Sequence, residues 1–136
     1  MWQYNQQHIH AIEDIPEGAV GFVYLIIDLA TTQYYIGKKS LYSYRTLPPL
    51  KGYKRKRKVV KESNWLTYQS SNDTVKAFVS PYKEILRWCY SKKELTYREI
   101  EAIIMFQGLE DPMCLNDNIL GKFFSGDLKP KDIDEG

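Results

Sequence analysis
Two tyrosines, Tyr24 and Tyr35, stand eleven positions apart on two apolar, β-branched runs, and the second run continues into Lys38 and Lys39. Phenol hydroxyls beside ammonium groups can hold a phosphate and orient or activate a nucleophile. That chemistry needs the side chains to converge, so the elements that carry them matter first. Gly21-Phe22-Val23-Tyr24-Leu25 and Tyr34-Tyr35-Ile36-Gly37-Lys38-Lys39 read as strands, with Asp28-Leu29-Ala30-Thr31-Thr32 as the turn between them. If residues 29 to 32 form the loop, Asp28 pairs with Gln33 and Ile26 with Tyr35. Tyr24, two residues from Ile26, then points to the same face as Tyr35. A two-residue loop would pair Tyr24 directly with Tyr35 and give the same result. Strand tyrosines are also ordinary core residues, so the hairpin needs support from downstream.

Arg45 follows Tyr35 by ten residues. Ser40 to Thr46 could form a helix around it, stopped by Pro48-Pro49, because proline restricts the residue before it and lacks an N–H. Lys38 precedes Arg45 by seven positions, about two helical turns, so they share a face if the segment is helical throughout. By themselves these two read as a solvated basic face. Ser91 to Gln107 reads as a longer helix: Ser91 and Glu94 have capping-box spacing, and Ile100, Ile103, Ile104 and Gln107 follow a helical period. Gly108 is a natural stop. Glu99 and Glu101 flank the apolar stripe, roughly 100° to either side of Ile100, so periodicity does not choose between them. Either could be an ordinary surface charge.

The hairpin motifs Phe22-Val23-Tyr24 and Tyr35-Ile36-Gly37 resemble the signature of the GIY-YIG nuclease superfamily. Phe22 departs from the Gly of the name, although Gly21 stands one place earlier. The resemblance covers roughly residues 20 to 120, with Tyr24, Tyr35, Arg45, Glu101 and Asn116 in family order. Glu101 and Asn116 are fifteen positions apart, the spacing that favours Glu101 over its rival Glu99. Some branches have a lysine at the place of Lys38. Where the family often has a His or Tyr, about one turn after the arginine, this chain has Pro49; Tyr53 or Tyr68 are candidates to replace it.

The resemblance implies an α/β fold, a small, mostly antiparallel three-stranded sheet flanked by helices. It implies metal-dependent hydrolysis of DNA phosphodiester bonds, with one divalent ion, Mg²⁺ or Mn²⁺, on Glu101. Tyr24 would act as, or orient, the general base, its pKa of roughly 10 lowered by the metal and Lys38. Tyr35 would hold the water or phosphate, Arg45 would clamp the phosphate, and Asn116 would brace the site. The basic insert and the lone domain suggest a phage or mobile-element enzyme.

Composition bounds the rest. At 136 residues the chain is expected to form one domain, 20–120, with a basic insert at 50–62, an N-terminal segment 1–19 and a tail 121–136. His8 and His10 are expected on a mobile N-terminal segment rather than in a zinc site. Cys89 and Cys114 form no disulfide framework, and no apolar run is long enough to cross a membrane, so a reducing cytoplasm (the host's, for a phage protein) is expected. Net charge is +2, but seven basic residues without an acid cluster at Lys51, Lys54, Arg55, Lys56, Arg57, Lys58 and Lys61. Such a run repels itself unless a polyanion neutralises it, which makes DNA the expected partner, with Lys39 contributing. Trp65 and Tyr68 are expected in the core or on a stacking surface. Asp73 to Val79 reads as a short helix, Tyr82 to Tyr90 as a third strand, and the last residues as an acidic, frayed tail. A homodimer would serve double-strand cleavage. Two other classes remain open: a catalytically silent nucleic-acid-binding module, and an interaction domain whose basic loop docks an acidic protein.

Overall fold
A computed structural model describes residues 1–130. In chain order the elements are β1 (Trp2–Tyr4), β2 (Gln7–His8), a 3₁₀ turn (Ile12–Asp14), β3 (Gly21–Asp28), β4 (Tyr34–Ser40), β5 (Tyr42–Leu47) and β6 (Arg57–Glu62). There follow α1 (Asp73–Lys76), β7 (Pro81–Cys89), α2 (Lys92–Met105), β8 (Asn118–Ile119), β9 (Phe123–Phe124) and α3 (Ser125–Leu128). The central sheet has five strands in the order β2-β1-β7-β3-β4. Its middle is the expected antiparallel trio of β7, β3 and β4, and the fold is α/β as expected.

The two extra strands correct the expectation of three strands and of a mobile N-terminal segment. Trp2 and Gln3 pair in parallel with Lys83 and Glu84 of β7, and Trp2 is fully buried. Its indole N–H donates to the Trp65 carbonyl at 2.7 Å. A three-residue strand carries no readable alternation, and its parallel partner lies some eighty residues away, so local pattern does not reveal it.

β3 is buried along nearly its whole length, as befits a central strand covered on both faces. One face carries Phe22, Tyr24 and Ile26, packed with Trp2, Trp65, Val75 and Ile85. Trp2 meets Phe22 edge-on at 4.9 Å between ring centroids, and such pairs contribute about 1 kcal/mol each beyond area burial. The other face carries Val23, Ile36 and Cys89 and is covered by Leu95 and Ile103 of α2. The Ser91 hydroxyl accepts from the Glu94 N–H at 3.0 Å, capping α2 as the sequence suggests. α1 is likewise real but short, with Asn72 as its N-cap.

Ser40 to Thr46 is not a helix. The chain turns at Leu41 into β5, which pairs with β6 as a separate two-stranded ribbon. Tyr42-Ser43-Tyr44-Arg45-Thr46 alternates and is rich in strand-forming residues, so local propensity favours a strand over the expected helix. The basic run is accordingly split: Arg57, Lys58 and Lys61 lie on β6, while Lys51, Lys54, Arg55 and Lys56 occupy the connecting loop. Residues 121–130 are not a frayed tail, since they include β9 and α3, and the Lys129 ammonium donates to the Cys114 carbonyl at 2.7 Å. The acidic Asp132, Asp134 and Glu135 lie outside the described residues.

Candidate active site
The hairpin register places the phenols. Ile26 pairs with Tyr35 and Tyr24 with Gly37, so Tyr24 and Tyr35 share a face, with their rings 6.3 Å apart. A bulge in the β3–β7 pairing falls between Val23 and Tyr24, a common device for re-aiming a side chain. Tyr24 is 2% exposed. Its ring lies across Gly37: a Cβ built there would collide with the Tyr24 hydroxyl and come within 2.5 Å of its Cζ. The glycine of the second motif thus serves close approach rather than backbone conformation. Gly37→Ala is expected to displace the Tyr24 ring and to destabilise the protein by about 1–3 kcal/mol. A thermal melt together with a cleavage assay checks both.

Three further groups complete the phenol cluster. Tyr68 meets Tyr24 edge-on at 6.1 Å, and the Lys39 ammonium sits 4.1 Å over the Tyr68 ring. Ser70 is buried beside them. Of the two candidates to replace the residue missing at Pro49, Tyr68 stands beside Tyr24 and Tyr53 is exposed. No motif in the sequence marks Ser70. It adopts a left-handed backbone (φ 70°) that only the folded loop reveals.

Glu99 and Glu101 are now distinguishable. Two residues on a helix are separated by about 200°, so they face opposite flanks of α2. Glu101 accepts an ion pair from Arg98 at 2.8 Å and lines a shallow recess with Leu86 and Arg87 of β7. Glu99 faces the β4 side: its charge acts on both Tyr24 and Tyr35, and Lys38 acts on it. One turn earlier on that flank, Thr96 accepts from the Lys38 ammonium at 2.8 Å. The expectation of Glu101 beside the tyrosines is corrected to Glu99.

Asn116 is buried and clamps Ile36. Its Oδ1 accepts from the Ile36 N–H at 3.0 Å, and its Nδ2 donates to the Ile36 carbonyl at 2.7 Å. Tyr34 is tied in the same way to the main chain of Met113 and Leu115. Asn116 thus holds the edge of β4, which carries Tyr35. Arg45 is not with this group: it is exposed on β5, and among the described residues its side chain makes no hydrogen bond or ion pair.

The electrostatics follow from burial. Burial pushes the Tyr24 phenol well above the usual tyrosine range. The Ser70 hydroxyl opposes this, and the negative charges of its neighbours, Glu99 included, add to it. Burial likewise raises Tyr35, with the Glu99 charge next in size. Lys38, on the opposite face of β4 from Tyr35, is not among the charges that act on Tyr24. Burial thus favours the neutral phenol at Tyr24 over the phenolate. Burial also raises the Glu99 carboxyl, against the pull of Lys38.

A half-buried carboxylate beside two phenols suits one hard cation, which takes oxygen ligands and keeps several waters. Among the described residues no three His, Cys, Asp or Glu side chains cluster into a closed metal cage. The donor set therefore fits an open site completed by water and substrate.

A family model described as “Putative endonuclease segE, GIY-YIG domain” matches residues 2–119. The chain belongs to the GIY-YIG endonuclease family. The match begins at Trp2 and so takes in β1. Neither the curated proteins nor the solved structures yield a match. No described helix is long and apolar enough to cross a membrane.

Proposed function
We propose that this GIY-YIG domain is a metal-dependent endonuclease that hydrolyses DNA phosphodiester bonds, of the phage or mobile-element kind. The observation that carries the reading is the convergence of Tyr24, Tyr35, Tyr68 and Ser70 with the Glu99 carboxylate at the β4 edge. Glu99 is the side chain that would hold Mg²⁺ or Mn²⁺. Such an ion, when bound, stabilises negative charge developing on the phosphate oxygens. Tyr35 donates a hydrogen bond to the attacking water or to a phosphate oxygen. Tyr24 stays protonated and orients Tyr35 from below. Lys38 and Lys39 offset the phosphate charge on either side of the strand. Asn116 holds β4, and with it Tyr35, in place. Arg45, Lys51, Lys54, Arg55, Lys56, Arg57, Lys58 and Lys61 grip the DNA outside the site. A homodimer for double-strand cleavage has an apolar groove available to it between α2 and β8–β9, lined by Ile100, Ile104, Leu120 and Phe123.

Incubation with supercoiled plasmid tests this, with Mg²⁺, with Mn²⁺ and with chelator. Nicked or linear product in the metal arms only is the expected result. Intact plasmid in every arm, with salt-sensitive DNA binding retained, selects a non-cleaving DNA-binding module instead. The near-complete burial of Tyr24 is the observation that favours that second reading.

The site also sets a pH dependence. Glu99 holds a cation only when ionised, and burial raises its carboxyl above the ordinary glutamate range. The competent form is therefore present at neutral pH and is lost as pH falls, at a higher pH than an exposed glutamate would give. At subsaturating metal, kcat/KM should fall about tenfold per pH unit on that acid limb. Lys38 opposes the shift, so Lys38→Met should move the limb to still higher pH. A limb that stays in place would separate Lys38 from Glu99.

A further inference from the structure
The β5–β6 ribbon has two unlike faces. Its register pairs Tyr42 with Glu62, Tyr44 with Val60 and Thr46 with Lys58 on one face. Ser43 with Lys61, Arg45 with Val59 and Leu47 with Arg57 make the other. The first face is tied to the body of the protein. Tyr42 packs against the core, Glu62 accepts from the Trp65 indole at 2.8 Å, and the Lys92 ammonium lies 4.8 Å over the Tyr44 ring. The second face looks away from those anchors and carries three cations and no acid. Every residue of β6 is exposed, and the ribbon pairs with no third strand. A two-stranded ribbon of this kind is only marginally stable alone, so an occupant on its free face would add order.

We propose that this ribbon enters the major groove of duplex DNA and that Arg45, at the centre of its free face, reads a base edge there. The inference rests on the DNA-endonuclease reading above and goes beyond it by naming a sequence-reading residue. The dimensions agree: six residues of strand span about 20 Å, about six base pairs, and the major groove is wide enough to admit a two-stranded ribbon. The charges agree as well. Arg57 and Lys61 stand on the opposite strand, one to either side of Val59, the cross-strand partner of Arg45, and are placed to meet phosphates at the groove walls. The loop adds Lys51, Lys54, Arg55 and Lys56 beyond the ribbon's tip. Arg45, with no partner among the described residues, keeps its whole fork of donors free, and the guanine O6 and N7 acceptors match that fork. Val59 beside it offers an apolar surface suited to a thymine methyl group.

The test uses the full chain in chelator, so that binding is read without cleavage. Bound duplexes are recovered from a randomised pool, and the enriched site is mapped by guanine N7 methylation interference. The expected result is a site containing a guanine whose N7 methylation weakens binding by tenfold or more. Arg45→Ala should abolish that interference and relax discrimination at that base pair by about tenfold to a hundredfold, with unchanged melting temperature. Arg45→Lys should not restore it, because an ammonium lacks the fork. Lys54→Ala with Lys56→Ala should instead weaken all duplexes alike, reducing the slope of log K against log salt by about 0.9 per contact. Failure to enrich any site, or interference that survives Arg45→Ala, overturns the groove assignment while leaving DNA cleavage standing. Absence of both duplex binding and plasmid cleavage overturns the endonuclease reading itself, and the ribbon assignment with it.

Discussion

Glu99→Gln is expected to lower single-turnover cleavage by at least about a hundredfold, because it removes the carboxylate proposed to hold a cation near Tyr35. Duplex binding and thermal stability should be close to wild type, since Glu99 supports no part of the core. Glu101→Gln should cleave within about twofold of wild type, because a half-exposed ion pair with Arg98 contributes little. The pair of variants makes the assignment sharp: one helix, two glutamates, and two flanks. Rapid-quench cleavage at saturating enzyme separates chemistry from affinity. If Glu101→Gln is the dead variant and Glu99→Gln is active, then the family spacing of fifteen to Asn116 outweighs the geometry, and the metal assignment moves.

Asn116→Leu should be the most damaging substitution for stability. The side chains are similar in volume, but leucine leaves the Ile36 N–H and carbonyl without partners in a buried place. Each unsatisfied group costs about 1–3 kcal/mol, so a loss of about 3 kcal/mol is expected overall. For a chain of this size that corresponds to roughly a 10 °C fall in Tm. Activity should fall beyond the loss of folded protein, because the clamp holds the strand that carries Tyr35. Urea unfolding gives the first number, and specific activity below the transition gives the second. An unchanged midpoint would mean that water or relaxed main chain satisfies Ile36 as well as Asn116 does.

Much of the site is legible in the sequence because it is local. The turn between Asp28 and Gln33 fixes the register, and the register puts Tyr24 and Tyr35 on one face without further information. Ser91 and Glu94 mark the start of α2 for the same reason. What is not legible depends on contacts far along the chain. The choice between Glu99 and Glu101 depends on which flank of α2 faces β4, and no periodicity within the helix contains that. Trp2 joins the sheet through a partner at Lys83. Ser70 and Tyr68 reach the phenols only once Trp65 is buried under Trp2. Arg45 is a different case: its spacing to Tyr35 follows the family, but alternation through Tyr42 and Tyr44 makes that segment a strand. Residue order survives there while the element that carries it does not.

The way β4 is finished has a consequence for solubility. An outer strand with free main-chain groups invites another chain to add on, which is a common route to aggregation. The groups that point outward from β4 belong to Tyr34, Ile36, Lys38 and Ser40. Tyr34 bonds to Met113 and Leu115, Ile36 to the Asn116 side chain, and the Ser40 carbonyl to the Ser63 hydroxyl at 2.6 Å. Among the described residues this leaves open the main chain of Lys38 and the Ser40 N–H, a short stretch that bears a charge. A second strand cannot find register on so short a stretch. The same closure that steadies Tyr35 therefore bars another chain from adding on along β4.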